Sequence, residues 1–250
     1  MNRDTLAATF IWVTLTAIGE VLILIWDIFP VAASREAEIT DDAFLLLTIL
    51  PIPLFALVVV IIGYSVLKFR RKGSDTSDAE YVRTHDGWVK SWLVWTTALT
   101  IGIIIVPGYS GLLDLRATED DPADLVINVQ GQQWFWQYEY EGLDVTLIDV
   151  GRTRELVLPV DSLIRFNVTA HPEDVLHSFW IPAFRIKIDA VPGLTTHVDT
   201  TTTETGDFNH DDSFRVQCAE LCGINHSTMF TRVRVVEQAE FDAWVAANAS

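Results

Sequence analysis

Cys218-Ala-Glu-Leu-Cys222-Gly-Ile-Asn-His226-Ser-Thr-Met229-Phe-Thr-Arg-Val-Arg-Val-Val236 joins a loop of metal-binding side chains to a run with strand alternation. The loop holds both cysteines of the chain and its only methionine beyond Met1. Thiolate and thioether sulfur beside imidazole form a donor set that selects copper. The run after it alternates as a half-buried strand does, with Phe230, Val233 and either Val235 or Val236 facing inward and a bulge at the end. A soft-metal loop closed by a β-strand predicts a site built at one end of an all-β domain.

Working back from that loop, short β-rich stretches recur between turn residues: Leu125–Gln130, Leu163–Thr169 and His197–Thr202. Many short strands in so short a stretch predict a Greek-key sandwich or barrel. The segment Gln238–Ala247 reads as an amphipathic helix with Phe241, Trp244 and Val245 on its apolar side. No internal repeat interrupts the pattern.

Half of the 250 residues are hydrophobic, yet the net charge is −17. Both hold because the two kinds of residue are segregated. From Asp114 onward there are 23 acidic against 9 basic residues, while the long apolar runs all come earlier. Such acidity excludes phosphate-backbone binding, which needs clustered Lys and Arg. It suits a basic protein partner, or a halophilic source in which dense carboxylates keep the surface hydrated. The scarcity of lysine (Lys68, Lys72, Lys90 and Lys187) fits the second reading as well.

Three apolar runs precede the acidic part. The first, Leu6 to Phe29, carries Glu20 and Asp27 and ends near the small-residue triplet Val31-Ala32-Ala33, so residues 1–33 read as an extra transmembrane helix or a signal segment. The second, Ala43 to Leu67, contains Pro51 and Pro53, which predict a bend. The third runs from about Trp88 to Leu113, with Pro107 near its end. Lys68, Arg70, Arg71, Lys72, Arg83 and Lys90 lie between the second and third runs, whereas Arg35 is outweighed by Glu36, Glu38, Asp41 and Asp42 between the first and second. Positive loops stay cytoplasmic. The expected plan is a transmembrane hairpin over 43–113 and a multi-pass protein in the cell membrane. An acidic linker, Thr118 to Asp124, then leads into an extracytoplasmic domain over 114–250.

The loop offers one thiolate more than a blue-copper site needs, so its two cysteines are suited to bridging a pair of copper ions. A second histidine must then come from elsewhere. His85 falls in the cytoplasmic turn. Of His171, His177, His197 and His210, the pattern favours His177, which sits between apolar residues at a strand start in Val175-Leu-His-Ser-Phe-Trp-Ile-Pro182. Three plainer readings compete: a Cys218–Cys222 disulfide, a zinc site, and Met229 as core filler. In Gln133-Trp-Phe-Trp-Gln-Tyr-Glu-Tyr140, alternation puts Trp134, Trp136, Tyr138 and Tyr140 on one strand face with Phe135 opposite. This is either a core strand or one that offers an exposed indole to an incoming electron.

The chain resembles cytochrome c oxidase subunit II from roughly Phe44 to Trp244. The resemblance is carried by Gly131-Gln-Gln-Trp-Phe-Trp-Gln-Tyr-Glu-Tyr140, Leu176-His-Ser-Phe-Trp-Ile-Pro182, Lys187-Ile-Asp-Ala-Val-Pro-Gly193, the cysteine loop with Glu220 and Gly223, and Phe241-Asp-Ala-Trp244. It implies a membrane-anchored, cupredoxin-like Greek-key β-barrel holding the binuclear CuA centre. Cys218 and Cys222 would bridge the coppers, His177 and His226 would be terminal ligands, Met229 would be axial on one copper, and the Glu220 carbonyl would be weakly bound to the other. The Glu220 carboxylate would reach a magnesium or manganese ion at the boundary with subunit I, and Trp134 would be the point of electron entry. The implied partners are subunit I, which reduces oxygen to water, and a soluble donor, either a cytochrome c or a blue-copper protein. Two departures stand out. Where relatives carry a glutamate linked to proton uptake, this chain has Trp92, with Lys90, Asp86 and His85 nearby and Asp86 the nearest substitute. The first apolar run also exceeds the two-helix plan. Copper domains of nitrous oxide or nitric oxide reductases, and membrane-anchored copper carriers, remain the alternative classes.

Overall fold

A computed structural model describes residues 3–26, 28–70 and 85–249. Asp27, Arg71, Lys72 and Arg83, used above for membrane cost and orientation, lie outside the described residues. The chain divides into two compact units, one formed by residues 1–28 and 42–113, the other by 29–41 and 114–250.

The part of the chain up to Leu115 contributes the α-helices that come before the first strand. α1 spans Arg3–Ile25. The second apolar run breaks where its prolines predict, into α2 (Arg35–Ile49) and α3 (Ile52–Lys68), because Pro51 and Pro53 have no N–H to continue the ladder. α2 begins well before the apolar run. The Ser34 hydroxyl caps it by accepting the N–H of Ala37 at 3.1 Å, and Glu36 and Glu38 favour the positive end of the helix dipole. α4 (Asp86–Ile103) leads through a π-helical turn, Ile104–Tyr109, into α5 (Ser110–Leu115). Val106, just before Pro107, is extended (φ −134°, ψ 117°), as the steric demand of a following proline requires. Among the described residues, three stretches, Arg3–Ile25, Arg35–Lys68 and Asp86–Leu115, are long and apolar enough to cross a membrane. α1 and α3 are tied by polar contacts at two levels: Trp12 Nε1 donates to the Pro53 carbonyl at 2.7 Å and the Tyr64 hydroxyl donates to Asp4 at 2.8 Å.

The second unit is a cupredoxin-like β-sandwich. Its strands are β1 (Leu125–Gln132), β2 (Phe135–Tyr140), β3 (Val145–Ile148), β4 (Glu155–Pro159), β5 (Leu163–Ala170), β6 (His177–Ile181), β7 (Ile186–Ala190), β8 (Thr196–Thr201), β9 (Gly206–Asp207), β10 (Arg215–Cys218) and β11 (Phe230–Val236), followed by helix α6 (Gln238–Asn248). One sheet runs β3-β2-β1-β5-β8 and the other β4-β11-β10-β6-β7, with β9 alongside β11. Both are mixed, because β1 pairs parallel to β5 and β4 parallel to β11. The sheets meet through an aromatic core in which Phe166 of β5 and Phe179 of β6 lie 5.1 Å apart between ring centroids. Replacing the fully buried Phe166 by alanine should cost about 3–5 kcal/mol, read as a lower denaturant midpoint at unchanged slope.

Two strand expectations need correction. In β11 it is Thr231, not Phe230, that turns inward with Val233 and Val235. Phe230 is only partly buried and stacks on Phe208, with centroids 5.6 Å apart. There is no bulge at the strand end, since the register with β4 runs unbroken from Arg232↔Glu155 to Val236↔Pro159. Both Val235 and Val236 are buried because the end of the strand is covered on both faces. The terminal helix forms as expected, with Phe241 and Trp244 packing on Tyr140.

Candidate metal centre

β6 and β10 pair antiparallel with Cys218 opposite Phe179, which places the end of β10 beside the His177 end of β6. The loop that follows closes on itself where the Cys218 N–H donates to the Met229 carbonyl at 3.0 Å. It is pinned to β6 by Ala219 N–H to the Ser178 carbonyl at 2.9 Å. A single 3-10 turn, His226–Thr228, brings the imidazole and Met229 back towards the cysteines. Gly223 adopts φ +119°, a conformation that a side chain would strain.

The donor atoms converge. Cys218 Sγ and Cys222 Sγ are 3.7 Å apart. His177 Nδ1 lies 3.9 Å from Cys218 Sγ, and His226 Nδ1 lies 3.6 Å from Cys222 Sγ. Met229 Sδ is 3.8 Å from Cys222 Sγ, and the Glu220 carbonyl oxygen is 3.3 Å from Cys218 Sγ. His177, Cys218, Cys222 and Met229 are buried, His226 is half-buried, and the Glu220 side chain is exposed. The sulfur separation is far beyond the roughly 2.05 Å of a disulfide, and both cysteines are free. Sulfur and imidazole donors closing on one small volume fit a soft metal, and copper above all.

The other histidines are placed elsewhere. His171 accepts the N–H of Glu173 in a local turn, His210 is exposed and pairs with Asp207, and His197 lies exposed on β8. Trp134 is not on the strand face shared by Trp136, Tyr138 and Tyr140. It occupies the turn between β1 and β2, and those other three rings are fully buried in the core. From that turn Trp134 Nε1 donates to the Cys222 carbonyl at 3.1 Å, and Gln133 Nε2 donates to the same oxygen at 2.6 Å. Gln133, Gly131 and Asp174 belong to this neighbourhood although sequence reasoning gave them no role. A Cβ on Gly131 would stand 3.0 Å from the Trp136 ring and 3.2 Å from the His177 ring, tighter than side chains ordinarily pack.

Burial pushes the Cys222 thiol up to about 12, and the neighbouring Cys218 adds to the shift. Burial also holds the His177 imidazole below its ordinary range, against the pull of Asp174. A bound metal must therefore displace the Cys222 proton, and affinity should fall as pH falls. In the metal-free protein the sign runs the other way. Above pH 9 an unfolded thiol ionises while the folded one keeps its proton, so stability declines as pH rises from about 9 towards 12. Buried Tyr138 and Tyr140, also raised by desolvation, act in the same direction. Thermal unfolding of metal-free protein between pH 8 and 11 should show the decline, and Cys222→Ser should make it shallower.

Residues 125–236 match the family profile described as "Cytochrome C oxidase subunit II, periplasmic domain". Cytochrome c oxidase subunit 2 of Alkalihalophilus pseudofirmus is 34% identical over 206 residues, covering 80% of this chain and 56% of that protein. The counterpart from Dekkera bruxellensis is 33% identical over 174 residues, covering 61% of this chain and 68% of its own length. Against the solved periplasmic domain of subunit II of cytochrome oxidase from Bradyrhizobium japonicum the TM-score is 0.45 at 37% identity, over 51% of this chain and 94% of that one. The chain spans between 52% and 61% of the first curated relatives it matches. With that profile match and the Dekkera bruxellensis relative, the chain belongs to the cytochrome c oxidase subunit II family.

Proposed function

We propose that this chain is the copper-bearing subunit of a respiratory haem-copper oxidase, taking electrons from a soluble donor and handing them to the haem groups of subunit I, where oxygen reduction is coupled to proton translocation. The observation that carries the reading is the pair of buried, unbonded thiols 3.7 Å apart with an imidazole Nδ1 beside each. Cys218, Cys222, His177, His226, Met229 and the Glu220 carbonyl would hold two copper ions, which supply a one-electron site that changes little in shape on reduction.

The residues around the donors set the conditions for that chemistry. The sandwich fixes the strands from which His177 and Cys218 project. Buried side chains keep water from the sulfurs and so favour fast transfer with little reorganisation. Trp134 would receive the donor's electron, because its half-buried indole is joined directly to the Cys222 carbonyl. Leu221 and Ile224, 77% and 87% exposed, give the loop an apolar outer rim suited to contact with a partner protein. The exposed Glu220 carboxylate is a hard oxygen ligand that would serve magnesium or manganese at the boundary with subunit I. The acidic surface would steer a basic cytochrome c or blue-copper donor, weakly where salt is concentrated, as in a halophile.

Residues 43–113 would cross the membrane as a hairpin with Lys68, Arg70 and Lys90 on the cytoplasmic side and residues 114–250 on the extracytoplasmic side. Residues 1–33 would form an added span or a removable leader. Affinity purification of the tagged chain from native membranes should bring down a haem-copper subunit and oxygen uptake driven by a reduced soluble donor. Recovery with a nitrous oxide or nitric oxide reductase instead, or with no redox partner, would defeat the oxidase reading.

A further inference from the structure

Asp174 stands three residues before His177, and its side chain is only 8% exposed. A carboxylate so nearly removed from water is costly unless its oxygens are met by donors. Oδ2 accepts the backbone N–H of Gln133 at 2.7 Å, and Oδ1 accepts the N–H of Val175 at 2.6 Å. The same Oδ1 lies 3.8 Å from His177 Nε2. That ring nitrogen is buried and has no hydrogen-bond partner among the described residues, while Nδ1 on the other side of the ring faces Cys218.

These contacts join three separate stretches of chain. Asp174 grips the backbone of the β1–β2 turn at Gln133. The turn's two side chains, Gln133 and Trp134, both donate to the Cys222 carbonyl. The ring that Asp174 approaches lies close to Gly131, in β1 two residues before the same turn. An imidazole that gives Nδ1 to a metal keeps its proton on Nε2, and a buried N–H of that kind calls for an acceptor. Asp174 is the carboxylate within reach.

We infer that Asp174 is a positioning residue for the metal centre: one carboxylate that orients His177 through Nε2 and, through Gln133 N–H, holds the turn carrying Trp134 against the cysteine loop. This rests on His177 being a metal ligand. The role couples the proposed entry point of the electron to the ligand shell by a direct path of named contacts. It also differs from that of an exposed surface acid, because Asp174 is nearly hidden from any incoming partner.

The test uses the full chain in detergent as wild type, Asp174→Ala and Asp174→Asn. In the metal-free proteins, hydrogen exchange at the Gln133 amide should be about tenfold faster in Asp174→Ala, the effect of losing a charge-assisted acceptor. Asp174→Asn keeps an acceptor oxygen and should stay close to wild type in that measurement. Copper retention against a competing chelator should fall roughly 10–100-fold in Asp174→Ala, as loss of an outer partner to a ligating histidine does. Asp174→Asn should lose part of that retention, since it keeps shape without charge, and the hyperfine pattern of the bound copper should change in both variants. Wild-type exchange and wild-type retention in Asp174→Ala would overturn the assignment. Should the wild-type chain itself take up no copper, the metal reading would fail, while the exchange measurement would still decide whether Asp174 holds the turn.

Discussion

Cys218→Ser should leave a folded chain that no longer binds copper as a pair. Serine matches the thiol in shape, and the contacts that close the loop are backbone bonds, Cys218 N–H to Met229 and Ala219 N–H to Ser178, which the substitution does not touch. The lost property is chemical. A hydroxyl does not replace a soft sulfur as a bridge between copper ions. The loss in copper affinity should exceed the ~10–100-fold attached to outer partners of a ligand. Copper per chain should drop from two to at most one, and the thiolate-to-copper absorption should collapse. A variant that still carries two equivalent coppers would mean that Cys218 does not bridge.

Trp134→Ala should slow reduction by the soluble donor about thirtyfold, the rate equivalent of the ~2 kcal/mol that an anchoring indole contributes at an interface. The copper spectrum should be unchanged, because Gln133 keeps its own 2.6 Å bond to the Cys222 carbonyl and holds the loop without the indole. Trp134→Phe separates the two features of the side chain, keeping an aromatic face while losing the N–H donated to Cys222. Donor reduction as fast in Trp134→Ala as in wild type would remove Trp134 from the entry path.

The convergence within the cysteine loop was legible in sequence because its side chains are local: four within twelve residues, closed by short backbone bonds. His177 was legible for a different reason, an imidazole among apolar residues at a strand start, and the structure brings it, rather than His171, His197 or His210, up to the thiols. The helices showed themselves through apolar length and through Pro51 and Pro107, whose backbone chemistry acts wherever they occur. Trp134 was harder to place. Alternation alone extends the β2 face one step too far, and only the pairing of Gln132 with Phe135 shows that the turn lies between them. Asp174 and Gln133 were invisible because their bond joins residues 41 apart in sequence. The inward turn of Thr231 was equally hidden, since a hydroxyl in a core position breaks the apolar rhythm by which strands are read.

Paramagnetic resonance of the copper-loaded full chain tests the central claim most directly. One unpaired electron spread over two sulfur-bridged ions predicts hyperfine structure from two equivalent copper nuclei. Splitting from a single copper nucleus, or a Cys218–Cys222 disulfide that persists under reducing reconstitution without metal uptake, would contradict it.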